Sequence, residues 1–129
     1  MYINGDCLIV PIQTELRNEV VAQLQSDILE NVREKRLKGV IIDLAGVSLL
    51  DTYQARKIFD TGKMAKLMGA VTVFTGLSAG IVVSLIDLGF EPGEVHTAIS
   101  LEDGTELLKK MITSSQEVPD EDEGRSGSD

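Results

Sequence analysis

The sequence predicts an α/β fold, a layered and mostly parallel sheet with about four helices, and three observations carry that prediction. Short aliphatic runs alternate along the chain with stretches whose apolar residues recur every three or four positions, so strands alternate with helices. The central run Val40-Ile41-Ile42-Asp43-Leu44 is apolar at every position but Asp43, as expected of a strand covered on both faces. The length, 129 residues, suits one domain. A chain of that size buries roughly two-thirds of its unfolded surface and needs no disulfide or metal to hold it. With no Trp and 4% aromatics, its core must be built from Val, Ile, Leu and Met.

Tyr2-Ile3 and Cys7 to Ile12 are expected as two strands of a hairpin around Gly5-Asp6. Thr14 is placed to cap a first helix with the stripe Leu16, Val20, Val21, Leu24, Ile28 and Val32. Lys35, Arg36 and Lys38 favour the negative end of its dipole, and Gly39 is the expected stop. After the central strand, Asp51 or Thr52 caps a second helix with the stripe Ala55, Ile58, Phe59, Gly62 and Ala65, stopped by Gly69. Ala70 to Phe74 is the next strand. Ser78 caps a third helix with Ile81, Val82, Leu85 and Leu88 turned inward and Gly89 ending it. Val95 to Ile99 is the last strand. Ser100 and Asp103 form a capping-box pair, with Asp in place of Glu, ahead of a final helix carrying Leu101, Leu107, Leu108 and Met111.

The domain is expected to span residues 1–112. Residues 113–129 are rich in acids, Ser and Gly, contain Pro119, and are expected to form a disordered acidic tail. Leu67 to Ile86 carries no charge, but glycines and hydroxyls interrupt it and its period changes near Thr75-Gly76. It is expected as a strand, a turn and a helix, not a membrane span.

The net charge of −9 argues against a nucleic-acid binder, which needs a basic stripe to displace counterions. A mildly acidic body suits a protein partner. Cys7 is the only cysteine. No intrachain disulfide can form, and a cytoplasmic location is expected. Residues 1–6 show no basic segment leading into an apolar run, so no signal peptide is expected.

Catalytic, metal and cofactor sites are expected to be none. Asp43 and Asp51 do not make the adjacent acidic pair a receiver domain needs, and Asp43 is expected to bond loop amides. His96 has no Cys or His companion, which makes it a strand residue and not a ligand. Cys7 is expected as a small buried hydrophobe. Gly76 to Gly80 lacks the Lys and Ser/Thr of a phosphate loop.

What remains is Leu50-Asp51-Thr52-Tyr53, where a strand feeds a helix whose first turn offers a hydroxyl to solvent. A presented hydroxyl without catalytic machinery suits a group that another enzyme modifies. A phosphate there adds about −1.5 to −2 charges beside unpaired amides, which the helix tolerates. Asp51 would repel it, and Leu49, Leu50 and Tyr53 would form an apolar rim for a partner. The plainer alternative for Thr52 is an N-cap, and for Ser84 a hydrogen bond back to its own helix.

The order of elements together with several segments resembles the STAS domain family, which includes sulphate-transporter cytoplasmic domains and bacterial anti-sigma-factor antagonists. Those segments are the strand from Gly39 to Leu44, Leu50-Asp51-Thr52, Lys66 to Ala70, Thr75-Gly76-Leu77 and Ser84 to Gly89. Within the family the chain is similar to the RsbS-like antagonists of the bacterial stressosome. That resemblance implies a non-enzymatic antagonist that holds an RsbT-like switch kinase, together with RsbR-like scaffold paralogues in a large complex, and releases it when phosphorylated. It implies Thr52 as the first phosphoacceptor and Ser84 as a second. Thr52 stands where such antagonists usually have Ser, and Ser84 where they usually have Thr. Thr at the first site is typical of the RsbR scaffolds. Two alternatives are a structural scaffold subunit and a simple anti-anti-sigma factor binding an anti-sigma kinase. Asp51-Thr52-Tyr53-Gln54 departs from the Asp-Ser-Ser-Gly-like run of that last branch.

Overall fold

The computed structural model describes residues 1–13 and 16–121. The strands are β1 (Tyr2–Asn4), β2 (Cys7–Pro11), β3 (Gly39–Asp43), β4 (Val71–Thr75) and β5 (His96–Ala98). The helices are α1 (Asn18–Lys35), α2 (Thr52–Leu67), α3 (Ala79–Asp87) and α4 (Leu101–Glu121), with a single 3-10 turn at Pro92–Glu94. The sheet runs in the order β1-β2-β3-β4-β5. Only the β1–β2 hairpin is antiparallel; its turn contains Gly5 at φ +65°.

Each parallel crossover steps to the next strand in the same direction. Right-handed connections then place α1, α2 and α3 on one face of the sheet. The other face is left for α4, which packs on β3, β4 and β5. The strands' alternation follows this division. Val40, Ile42 and Leu44 join Leu8, Val10, Ile58, Phe59 and Phe74 in the larger core. Ile41, with Ile9, Val73 and Leu108, forms the smaller core under α4. The continuous apolar run of β3 is thus a strand covered on both faces, as its sequence implies.

Three details differ from the sequence reading. The first helix ends at Arg36, not Gly39: Arg36 adopts φ +52° and its amide donates to Val32 O. Gly39 instead opens β3, where Leu108 Cδ2 stands 2.7 Å from the place a Cβ would occupy. Its smallness serves the packing of α4. Val82 is not turned inward. It is exposed with Val83 and Ile86, while Ile81 and Leu85 are buried. Within the larger core α3 buries a narrow i, i+4 line, and Val82 lies one residue, about 100°, off it. Finally, α4 continues past residue 112 to Glu121, into the stretch expected as tail. Once a helix is nucleated on an amphipathic face, each polar residue added contributes a further backbone bond. Thr14, the expected cap of α1, lies outside the described residues, as do residues 122–129 of the tail; Arg17 is the N-cap residue of α1.

Other boundaries follow the sequence. Ser78 caps α3 by accepting from the Ile81 amide at 3.3 Å. The amide of Asp103 donates to Ser100 Oγ at 3.1 Å. Gly69 and Gly89, both at positive φ, follow α2 and α3. Among the described residues no helix is long and apolar enough to cross a membrane. His96 is half-buried in β5 and Cys7 half-buried at the start of β2.

Candidate phosphoacceptor site

The site lies where β3 and β4 end and the chain turns into α2. Asp43, the last residue of β3, fixes the turn. Its Oδ1 accepts from the Ala45 amide at 3.2 Å and from Thr75 Oγ1 at 3.0 Å. The first bond is the loop-amide contact the sequence suggests for Asp43. The Leu44 amide donates to Thr75 O at 2.8 Å, which continues the β3–β4 pairing one step further. Gly76, at φ +70°, lets its chain lie directly against Ala45: a Cβ there would come within 2.8 Å of the Ala45 backbone. Ser78 binds in both directions, donating to Ser48 O at 2.9 Å while it caps α3. The loop that delivers α2 is therefore tied to the start of α3 before the helix begins.

The N-cap of α2 is Asp51. Its carboxylate accepts from the Gln54 amide at 2.7 Å, and Gln54 Oε1 accepts from the Asp51 amide at 3.2 Å, a complete capping box. Gln54 also donates through Nε2 to Leu16 O, which fastens the same turn to the segment before α1. Thr52 is the first helical residue, not the cap, and it is exposed. Among the described residues its hydroxyl makes no hydrogen bond. Of the two candidate caps, the carboxylate has the structural task, and the hydroxyl has no partner among the described residues.

The expected apolar rim is only partly present. Leu49 is 64% exposed, with its Cδ2 lying over Gly80 of α3, and Tyr53 is 42% exposed. Leu50, expected in the rim, instead belongs to the core and is 7% exposed. The chain alternates there: with Leu49 outward, Leu50 turns in beside Val47 and Ala55. Along α2 from Thr52 runs an open groove against α1, lined by Tyr53, Arg56, Lys57, Asp60 and Met64 with Gln25 across it. Gln25 Nε2 joins the two helices, donating to Lys57 O at 3.0 Å and Thr61 Oγ1 at 3.2 Å. The Lys57 ammonium lies 5.9 Å from the centre of the Tyr53 ring.

Ser84 is placed differently. It is half-buried on α3 and its Oγ donates to Gly80 O at 3.2 Å, the bond back to its own helix. Its hydroxyl is engaged, whereas that of Thr52 has no partner among the described residues.

Sequence reasoning missed Gln54, Ser78's bond to the loop, and the cations along the groove. The first was signalled by the Asp-x-x-Gln spacing of a capping box. The cations carried an i, i+4 signal from Thr52 to Arg56, but charged residues on a helix face are usual and gave no cue alone.

The STAS domain family model matches residues 1–103. The chain is 25% identical over 103 residues to the RsbT co-antagonist protein RsbRA of Bacillus subtilis, an alignment covering 80% of this chain and 38% of that one. It therefore spans well under half of that relative's length. Among solved structures, a single-substitution variant of Moorella thermoacetica RsbS superposes with a TM-score of 0.77 at 25% identity, covering 85% of this chain and 93% of that one. A chain of the stressosome, described as a signal integration and transduction hub, superposes with a TM-score of 0.71 at 24% identity, covering 85% and 96%.

Proposed function

This chain belongs to the STAS domain family, and on that premise we propose that it is a stressosome component that restrains a kinase. It is an antagonist that sequesters an RsbT-like serine/threonine switch kinase, together with RsbR-like STAS paralogues, and releases it on phosphorylation of Thr52. It works in the cytoplasm as the substrate of an enzyme, not as one. The similarity to a co-antagonist of RsbT and to RsbS supports this reading. The observation that carries it is the division between Asp51, which caps α2, and Thr52, whose exposed hydroxyl has no bonding partner among the described residues.

The mechanism follows from where charge is added. In the unmodified chain the kinase covers Leu49, Tyr53 and the neutral hydroxyl between them and Asp51. Transfer of the γ-phosphoryl of ATP to Thr52 Oγ1 breaks the bond to ADP, and the hydroxyl proton leaves to a base of the kinase. The product carries about −1.5 to −2 charges at the surface. A partner fitted to a neutral hydroxyl then meets an anion beside the Asp51 carboxylate, and like-charge repulsion with desolvation drives it off. The cap is untouched, so α2 and the core beneath it stay in place. Ser84 is a second acceptor of lower access, because its hydroxyl must first leave Gly80 O.

A scaffold role is the second reading, favoured by the similarity to RsbRA. Two measurements on the whole chain separate them. A cognate kinase is captured by the wild type and by Thr52→Glu, and the bound amounts are compared. Antagonism predicts strong capture by the wild type and at least tenfold less by the variant, whereas equal capture refutes it. Size-exclusion chromatography with an RsbR-like paralogue then reports assembly in either case.

A further inference from the structure

We propose that Arg56 is the counter-charge for a phosphate on Thr52, so that modification creates an ion pair along α2 as well as repelling a partner. The inference rests on the reading of Thr52 as acceptor and names the residue that receives the anion.

Thr52 and Arg56 are four residues apart on one helix, a spacing that brings Cβ atoms to about 5–6 Å. Both line the same open groove, so their side chains share one face. Arg56 is exposed, and among the described residues it forms no ion pair; the pairs present are Arg33–Glu34 and Lys63–Glu94. Lys57 is committed elsewhere, with its ammonium over the Tyr53 ring. Asp60, one turn beyond Arg56, lines the groove too and is the carboxylate that competes for the guanidinium. A phosphate near −2 outweighs that single charge, and its oxygens match the planar fork of an arginine better than an ammonium.

The helix end does not serve in its place. Asp51 already supplies a carboxylate there, bonded to the Gln54 amide at 2.7 Å, and its charge opposes that of a phosphate on the next residue. A cation within one turn is what offsets both. Before modification Arg56 and Lys57 outnumber Asp60 along the groove. Afterwards the phosphate reverses the sign, and Arg56 turns from a free donor for a partner into a group bonded within its own helix. One event thus removes two docking features, the neutral hydroxyl and the unpaired guanidinium.

The test uses the full chain with phosphothreonine installed at residue 52 during synthesis, which makes it independent of any kinase. The second ionisation of the phosphate is followed by phosphorus NMR against pH. One cation paired with the phosphate at about 4 Å in water contributes about 1 kcal/mol, and so lowers that pKa by about 0.7 unit relative to the same chain without it. In R56Q the value should return upward by that amount, while in K66Q, which loses a charge from the last turn of α2, it should stay at the wild-type value. Identical titrations for wild type and R56Q overturn the proposal, as does an equal rise in K66Q. Phosphosite mapping after incubation with a kinase and Mg-ATP answers separately whether Thr52 is modified, so failure of that reading is told apart from failure of this one.

Discussion

Replacing Asp51 by Ala and Thr52 by Ala asks which of two adjacent side chains holds the fold. Asp51→Ala removes the 2.7 Å bond to the Gln54 amide and leaves only the other half of the capping box, the residue 51 backbone amide donating to Gln54 Oε1. Loss of an N-cap costs about 1 kcal/mol, and up to about 2 where the cap is well formed. Here Gln54 also ties the turn to Leu16 O, so the upper half of that range is expected. For a domain of this size about 1 kcal/mol moves the unfolding midpoint by roughly 3–6 °C. Asp51→Ala should therefore lower it by about 5–10 °C, and Asp51→Asn by much less, since Asn caps comparably. Thr52→Ala removes a hydroxyl with no hydrogen bond among the described residues and places the best helix former at the first helical position. Its effect should stay within about 0.5 kcal/mol, the ordinary range for a surface substitution. Thermal and urea unfolding of the three variants measure this directly. If Thr52→Ala loses as much as Asp51→Ala, the hydroxyl is a structural cap, and the reading of Thr52 as a free acceptor is wrong.

Two more predictions concern a buried hydroxyl of β4 and the half-buried thiol at the start of β2. Thr72 Oγ1 is buried on β4 without a hydrogen-bond partner, so Thr72→Val, which keeps the shape and deletes the unpaired oxygen, should raise stability by about 1 kcal/mol in urea unfolding. The thiol of Cys7 is pushed above its ordinary pKa chiefly by burial and further by the Asp6 carboxylate, against a smaller opposing pull from Lys109. The native thiol thus ionises later than the unfolded one. Alkylation of the folded chain near pH 8 should lag behind that of the urea-unfolded chain, and the fold should lose stability as pH rises above the unfolded thiol's pKa. Equal alkylation rates would show that burial does not protect this thiol.

Most of the fold was legible because its signals are local and redundant. The double-sided run of β3, the helical stripes and the Ser78 cap each point to the observed element on their own, and together they imply a layered, mostly parallel sheet. The misplacements share a physical origin: each depends on how the elements pack together, which the local residue pattern does not carry. Gly39 reads as a helix stop until Leu108 is seen pressed against it. Val82 reads as core until the narrowness of α3's buried line is known. Leu50 reads as rim until Val47 and Ala55 close around it. At the site, both Asp51 and Thr52 are residue types that cap helices well, and only the Asp-x-x-Gln spacing to Gln54 favoured Asp51 in the sequence. The side-chain bonds separate them: the Asp51 carboxylate is bonded to the Gln54 amide, and among the described residues the Thr52 hydroxyl has no partner.

That separation has a consequence for how such a switch can work at all. Were the hydroxyl of Thr52 itself the cap, a phosphate on it would replace a small acceptor, bonded to an amide two or three residues on, with a bulky anion. The first turn of α2 would have to rearrange, and the disturbance would reach Ala55, Ile58 and Phe59, which lie directly beneath in the main core. Phosphorylation would then act by weakening the domain, and its effect on a partner could not be uncoupled from its effect on stability. With Asp51 as the cap, the acceptor stands outside the bonding that defines the helix. On the proposed reading, a phosphate on Thr52 would act on the exterior charge pattern, opposed by the Asp51 carboxylate and received by Arg56. A repulsive charge on one side of Thr52 and an attractive one on the other would then turn the proposed phosphate toward Arg56 and away from Asp51, leaving the helix cap and the core beneath it undisturbed.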